Sequence, residues 1–280
     1  YGIMTALGII SCIVVFYLYT KKKNRPSKVQ DFSFFVIIIS VALGFLFAKL
    51  FQAFYDYLDT HKWDFYGAGI TAMGGFIGGA ATFLLVYFLG GKFYFKGKNQ
   101  GLYIKEFEKI FCVAPICITI AHAFGRIGCL MAGCCHGRLV NKTEWVLGTV
   151  PRYTYSSATK NLTFTGYYSA AQLYEALFLF GLFAVLSVMY LKNSKRLCMP
   201  VYLISYGIWR MIIEFFRTDY RGAALLGLYP SQWQSIVFIL IGTGVIVYYI
   251  VKKIPFAEKQ IETEEPGQKP DSNTEKNNEK

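Results

Sequence analysis

Charge is scarce in this 280-residue chain: Asp, Glu, Lys and Arg make up 16% of it, against about 25% in soluble domains. That deficit, with 54% hydrophobic residues and a mean hydropathy of +0.37, excludes an ordinary soluble domain. Cysteine is sparse as well. Seven are too few to staple a small disulfide scaffold, and an odd number leaves at least one thiol unpaired. No apolar run is followed by the small-residue cleavage site of a signal peptide, and no short-period repeat of the solenoid kind is present. Aromatic residues, by contrast, are abundant: 4 Trp, 21 Tyr and 25 Phe are too many for a disordered polypeptide.

Long apolar runs fall at 2–20, 32–53, 67–90, 108–125, 169–191, 199–217 and 231–251. Each approaches the ~20 residues that cross a ~30 Å hydrocarbon core as a helix, and Gly or Pro within them is compatible with packed spans. The chain reads as an all-α membrane protein with seven transmembrane helices. Nineteen of its 29 lysines and arginines lie in 21–31, 91–109, 192–198 and the segment from 252 onward, and seven lie on the alternate side. The positive-inside rule then places the N-terminus outside and the C-terminus in the cytoplasm. The net charge of +12 is thereby a topology signal, with some attraction to anionic membrane lipids, and no nucleic-acid partner is expected.

Residues 1–256 form one polytopic domain on this reading. Residues 139–168 make a small extracytoplasmic cap with short β-like stretches, TEWVLGTV and RYTYSS. Residues 257–280 are polar and aperiodic, and read as a disordered cytoplasmic tail. The chain opens at Tyr1 without an initiator Met, so some native residues are expected upstream.

Ionisable groups within spans are rare and usually functional. Tyr206, Arg210, Glu214 and Arg217 are spaced by four, four and three, along one helix face. An Arg–Glu pair that merely locks helices needs one cation, whereas this face carries two. Arginine suits forked hydrogen bonding to phosphate, and a phospholipid head group would supply the missing anion. Glu175, about two turns into the fifth span, needs a cationic partner, with an arginine the natural one.

The fourth span ends His122-Ala-Phe-Gly-Arg126-Ile-Gly128-Cys129, followed by Gly133, Cys134, Cys135, His136, Gly137 and Arg138. Its glycines allow tight turns and close backbone approach. The cysteines admit three readings: a disulfide on the oxidising outer side, small packed thiols, or a metal site. The metal reading ranks last, because the spacing matches no common zinc pattern and adjacent cysteines rarely both ligate one ion. A redox role ranks low for want of a known spacing. In the third span Gly67, Gly69, Gly74, Gly75, Gly78 and Gly79 suit close helix packing, with the extension that they leave room for a lipid chain.

In order along the chain, these residues resemble the bacterial prolipoprotein diacylglyceryl transferases. Tyr1-Gly2-Ile3-Met4 resembles the Trp-Tyr-Gly opening of that family's first helix, and Met73-Gly74-Gly75 its His-Gly-Gly segment. Arg126-Ile-Gly128 through Gly133 and Gly137-Arg138 resembles its signature Arg-x-Gly-Asn-x-x-Asn-Gly-Glu-x-x-Gly. Gln172-Leu173-Tyr174-Glu175 is similar to its Gln-Leu-Tyr-Glu motif, and Tyr206, Arg210, Glu214 and Arg217 to its Tyr-x3-Arg-x3-Glu-x2-Arg motif. Ser231-Gln232-Trp233 is similar to the segment that follows.

The resemblance implies a multi-pass enzyme of the bacterial inner membrane. It would move the diacylglyceryl group of phosphatidylglycerol onto the lipobox cysteine of a prolipoprotein signal peptide and release glycerol 1-phosphate. Arg126, Arg210, Tyr206 and Glu214 would act in catalysis. Tyr1, Gly74, Gly75, Gly128, Gly133, Gly137, Gln172, Tyr174, Glu175 and Arg217 would bind substrate, and no metal or organic cofactor is required. The chain departs from the pattern at Met73, which cannot accept a proton, and at Cys129 and Cys134, where the signature has Asn and Glu. His122 or His136 could stand in as base. Two other readings keep the same fold: transfer of a glyceryl or glycerophosphate group to another envelope acceptor, and lipid binding or transport without turnover.

Overall fold

The computed structural model describes residues 1–67, 69–141, 149–156, 161–217 and 227–256. Helix α1 (Gly2–Lys22) leads through Pro26, which cannot continue a helix, into the long α2 (Ser27–Thr60). Helix α3 (Ala72–Leu85) runs through a π-helical turn at Val86–Gly90 into α4 (Gly91–Tyr94). The amphipathic α5 (Leu102–Phe111) precedes α6 (Ala114–Met131), which carries Pro115 in its first turn. Strands β1 (Leu139–Val140), β2 (Thr149–Ser156) and β3 (Asn161–Ser169) form an antiparallel sheet in the order β1-β3-β2. Helices α7 (Ala171–Leu191), α8 (Cys198–Glu214) and α9 (Pro230–Val251) complete the chain.

Seven helical segments among the described residues are long and apolar enough to cross a membrane: α1, α2, the continuous α3–α4, α6, α7, α8 and α9. The apolar runs located all seven, with two differences. Helix α2 extends well beyond 32–53 at both ends, because its flanking turns are polar but still helical. The run at 108–125 merges two elements. α5 lies before the span and buries Tyr103, Glu106 and Ile110 on one side, with Lys109 bonded back to Glu106 at 2.6 Å. The sheet falls in the stretch read as a cap. Within that stretch 142–148 and 157–160 lie outside the described residues, as does the tail at 257–280.

The helices pack chiefly as neighbours: α1 on α6, α2 on α3, α6 on α7, and α8 on α9. Glycines set the closest approaches. A Cβ on Gly78 would sit 2.3 Å from Phe47 Cβ, and one on Gly74 would sit 2.5 Å from Phe51 Cβ. The third-span glycines therefore seat α2 side chains, as small residues at membrane-helix contacts do. The outer faces stay apolar: Ile3, Ile10 and Leu18 on α1, and Leu240, Ile250 and Val251 on α9, are exposed. Apolar surface on that scale is stable only against lipid.

The two ends of the bundle differ. At one, basic segments interlock. Lys23 Nζ donates to the Leu191 carbonyl at 3.4 Å, Arg196 pairs with Glu108 and donates to the Pro255 carbonyl at 2.8 Å, and Arg25 lies 3.7 Å from Glu106. At the other end the sheet, Tyr1 and the C-terminal turn of α6 come together.

Candidate functional site

Three helices meet beneath the sheet. His122 and Arg126 are one turn apart on α6, so both face α7. There Glu175, fully buried, is faced from several sides: Arg126 Nε forms an ion pair 3.0 Å from Oε2, His122 Nε2 lies 3.7 Å from Oε1, and the Tyr206 hydroxyl donates to Oε1 at 3.3 Å. On α8, Arg210 Nη2 pairs with Glu214 Oε2 at 3.2 Å, one turn along the same helix. Arg217 follows just past the end of α8, also buried. The guanidiniums of Arg126, Arg210 and Arg217 are all close enough to interact with the Glu175 charge. Three guanidiniums thus converge on this buried region, and Arg210 Nη1 is buried with no hydrogen-bond partner among the described residues. An anion is the complement such a site calls for.

The mouth of the site is made by the end of α6. The Cys134 amide donates to the Cys129 carbonyl at 3.1 Å, closing the helix, while Gly133 and Cys135 take left-handed φ values of +67° and +60°. This turn folds Cys134 and Cys135 back over Cys129, and all three Sγ atoms lie within 4.8 Å of one another. Gln172 Nε2 pins the turn to α7 by donating to the Cys134 carbonyl at 2.5 Å. A hydrogen bond from the Cys129 thiol, with Arg126 and Arg217 beside it, holds the Cys135 thiol down to about 5 against the opposing effect of burial. Tyr1 lies alongside, its phenol raised by burial and by the neighbouring Cys129.

Gly137 couples this turn to the sheet and to α8. Its amide donates to the Ser169 carbonyl at 2.8 Å, and the next amide, Arg138, donates to Phe216 at 3.0 Å. A Cβ at Gly137 would meet Ser169 Oγ and lie 2.7 Å from the Phe216 carbonyl oxygen. Gly137→Ala is expected to lower the melting temperature sharply, because backbone must move apart at the site. Gly133 has open space around its Cα and only its φ to lose. Gly133→Ala is expected to cost about 1–2 kcal/mol of strain, a smaller shift in a thermal melt. Equal effects of the two would contradict this assignment.

Several expected residues lie elsewhere. The ring of His136 is held by the sheet, with Nε2 2.5 Å from Arg152 Nη1, Nδ1 donating to the Gly137 carbonyl at 3.0 Å, and Tyr168 at 4.3 Å between ring centroids. It does not join the thiols. Gly74 and Gly75 face α2, where Phe51 and Ala48 occupy the room foreseen for lipid, and Gly128 lies against Tyr1 and Met4 of α1. The Tyr174 hydroxyl is buried with no hydrogen-bond partner among the described residues. All seven cysteines are free, so the disulfide reading is not met.

Met73 lines an apolar cleft of about 530 Å³ with Phe76, Trp233, Val237 and Phe238, between α3 and α9. Sequence reading missed this cleft and the roles of the Ser169 and Phe216 carbonyls. The pairing of α3 with α9 has no local signal, and backbone acceptors carry none.

The family profile described as prolipoprotein diacylglyceryl transferase matches residues 1–248. The chain is 30% identical over 248 residues to the phosphatidylglycerol–prolipoprotein diacylglyceryl transferase of Clostridium tetani, covering 86% of this chain and 89% of that protein. It is 32% identical over 259 residues to the second such enzyme of Clostridium perfringens, covering 90% of each. With its counterpart in Streptococcus sanguinis the identity is 26% over 278 residues, covering 92% of this chain and 94% of that protein.

Proposed function

The chain belongs to the prolipoprotein diacylglyceryl transferase family, and from that membership we propose that it moves the diacylglyceryl group of phosphatidylglycerol onto the lipobox cysteine thiol of a prolipoprotein, releasing glycerol 1-phosphate. It is a multi-pass membrane transferase. The relatives' names favour this acceptor over another envelope molecule or over lipid binding without turnover.

One observation carries the reading: a buried Arg210 nitrogen, beside the Arg126 guanidinium, that no described group satisfies. A phosphodiester monoanion would satisfy it. Arg126 and Arg210 would grip it in forked hydrogen bonds, with Glu175 orienting Arg126 and Glu214 orienting Arg210. The acceptor thiol, having lost its proton, attacks the glyceryl carbon bonded to the phosphate oxygen. The S–C bond forms, the C–O bond breaks, and the bonding pair leaves on glycerol phosphate, whose added charge the arginines offset. Tyr206 would hold the far side of Glu175. Gln172, Tyr174, Tyr1, Arg217 and the Gly128–Gly137 segment would border the entry, and the Met73–Trp233 cleft suits an acyl chain. Of the two histidines, His122 is the one beside the arginines. The lysine and arginine distribution supports a bacterial cytoplasmic membrane location with the site open to the outer face.

Reconstitution in phosphatidylglycerol vesicles with a lipobox peptide tests the proposal. A diacylglyceryl mass gain on the peptide is expected, matched by equimolar glycerol 1-phosphate. Glycerol phosphate release without peptide modification would retain the donor and overturn the acceptor.

A further inference from the structure

We propose that Cys129, Cys134 and Cys135 form a three-thiolate site for Zn²⁺ whose fourth coordination position takes the acceptor thiol, an inference that rests on the transfer reaction proposed above. Tetrahedral Zn–S bonds of ~2.3 Å place the sulfurs ~3.8 Å apart, and the three Sγ atoms already lie within 4.8 Å of one another. The difference needs only small side-chain rotations. Adjacent cysteines normally point apart, but here left-handed φ values at Gly133 and Cys135 flank Cys134, and both thiols lie on Cys129.

Packing alone does not account for the cluster. Free thiols that only pack are typically buried, as Cys112, Cys117 and Cys198 are and Cys12 partly is, whereas Cys134 is exposed with Cys129 and Cys135 half-buried beneath it. The cluster is thus open on one side, which leaves a position for a fourth ligand. Three ligands and an open position are the arrangement of catalytic rather than structural zinc. The surroundings fit the charge. Zn²⁺ with three thiolates is an anion, and Arg126 and Arg217 stand beside it, with Arg217 bonded to the Cys135 side chain. Gln172 fixes the turn by its Cys134 carbonyl rather than its sulfur, whose thiol donates to the Cys129 carbonyl at 3.7 Å, a proton that metal binding would displace.

The chemistry addresses what Met73 lacks. A thiol bound to a divalent metal ion gives up its proton outright. The lipobox thiol would enter as the fourth ligand and release its proton to water. It would then attack the glyceryl carbon as a zinc-held thiolate, leaving as a neutral thioether while the phosphate takes the C–O bonding pair. No base is needed at position 73.

The test uses the full chain in phosphatidylglycerol nanodiscs, stripped with a chelator and titrated with Co²⁺. One Co²⁺ per chain is expected, with the sulfur-to-cobalt charge-transfer and visible bands of a tetrahedral thiolate site. A lipobox peptide should shift those bands, and the same peptide with Ser for its Cys should not. Cys134→Ser, a change at the exposed member, should lose the spectrum while keeping the melting temperature. Stripped protein should transfer about 10²-fold more slowly or worse, the range of a lost proton acceptor, and recover with Zn²⁺. A missing thiolate spectrum, or one that the peptide leaves unchanged, would overturn the proposal. So would full transfer by stripped protein, while leaving the transferase reading intact. A peptide-sensitive spectrum without diacylglyceryl transfer under any metal would support the thiol-binding site and overturn the transfer reaction.

Discussion

Arg210→Ala is expected to lower kcat/KM for lipid transfer by about 10²-fold or more, with folded protein recovered in near-normal yield. The guanidinium sits on α8 with one arm on Glu214 at 3.2 Å and the Nη1 nitrogen buried without a partner among the described residues. Removing a donor aimed at developing oxyanion charge costs 10²–10³ in kcat elsewhere, and here the same group would also hold the ground-state phosphate. KM for phosphatidylglycerol should therefore rise as kcat falls. Arg210→Lys separates charge from shape. It keeps a cation beside Glu214 but offers no fork, so transfer should stay well below wild type with the fold intact. Full activity in Arg210→Ala, measured as glycerol phosphate release from nanodiscs, would remove the phosphate-clamp role.

The spans were legible because burial in lipid leaves a mark on every residue of a helix, and a run of about twenty apolar residues has few other uses. Helix α5 was not, because its apolar face at Tyr103 and Ile110 is interrupted by Lys105, Glu106, Glu108 and Lys109 and runs straight into α6. The arginine face of α8 was readable from i, i+4 spacing alone. The partner of Glu175 could be stated only as some arginine. That it is Arg126 of α6, with Arg210 held instead by Glu214, depends on how α6, α7 and α8 pack, which no local spacing encodes. The convergence of the three thiols was not legible for a related reason: side-chain direction at Cys134 and Cys135 follows from departures into left-handed backbone at Gly133 and Cys135, and adjacency in sequence argues the opposite. The glycines of α3 were read correctly as packing residues, while the lipid room imagined beside them is filled by Phe47 and Phe51.

Glu175→Gln should be the most destabilising conservative change in the site. The carboxylate is fully buried and faces Arg126 at 3.0 Å, with Tyr206 and His122 on its other oxygen. Gln preserves its volume and can still accept from Tyr206, so the loss isolates the charge. Breaking a buried ion pair from one side costs about 3–5 kcal/mol, because Arg126 stays behind, without its carboxylate, where Arg210 and Arg217 are also near. A large drop in melting temperature is expected, together with loss of transfer. The double variant Glu175→Gln/Arg126→Gln removes the stranded cation, so much of the melting temperature should return. Transfer should not, since one arm of the phosphate grip is gone. That split distinguishes the two jobs assigned to the pair: Glu175 acts through Arg126, and Arg126 acts on lipid. Recovery of transfer along with stability in the double variant would show that Arg126 is only a structural counter-charge, leaving Arg210 and Arg217 to hold the phosphate.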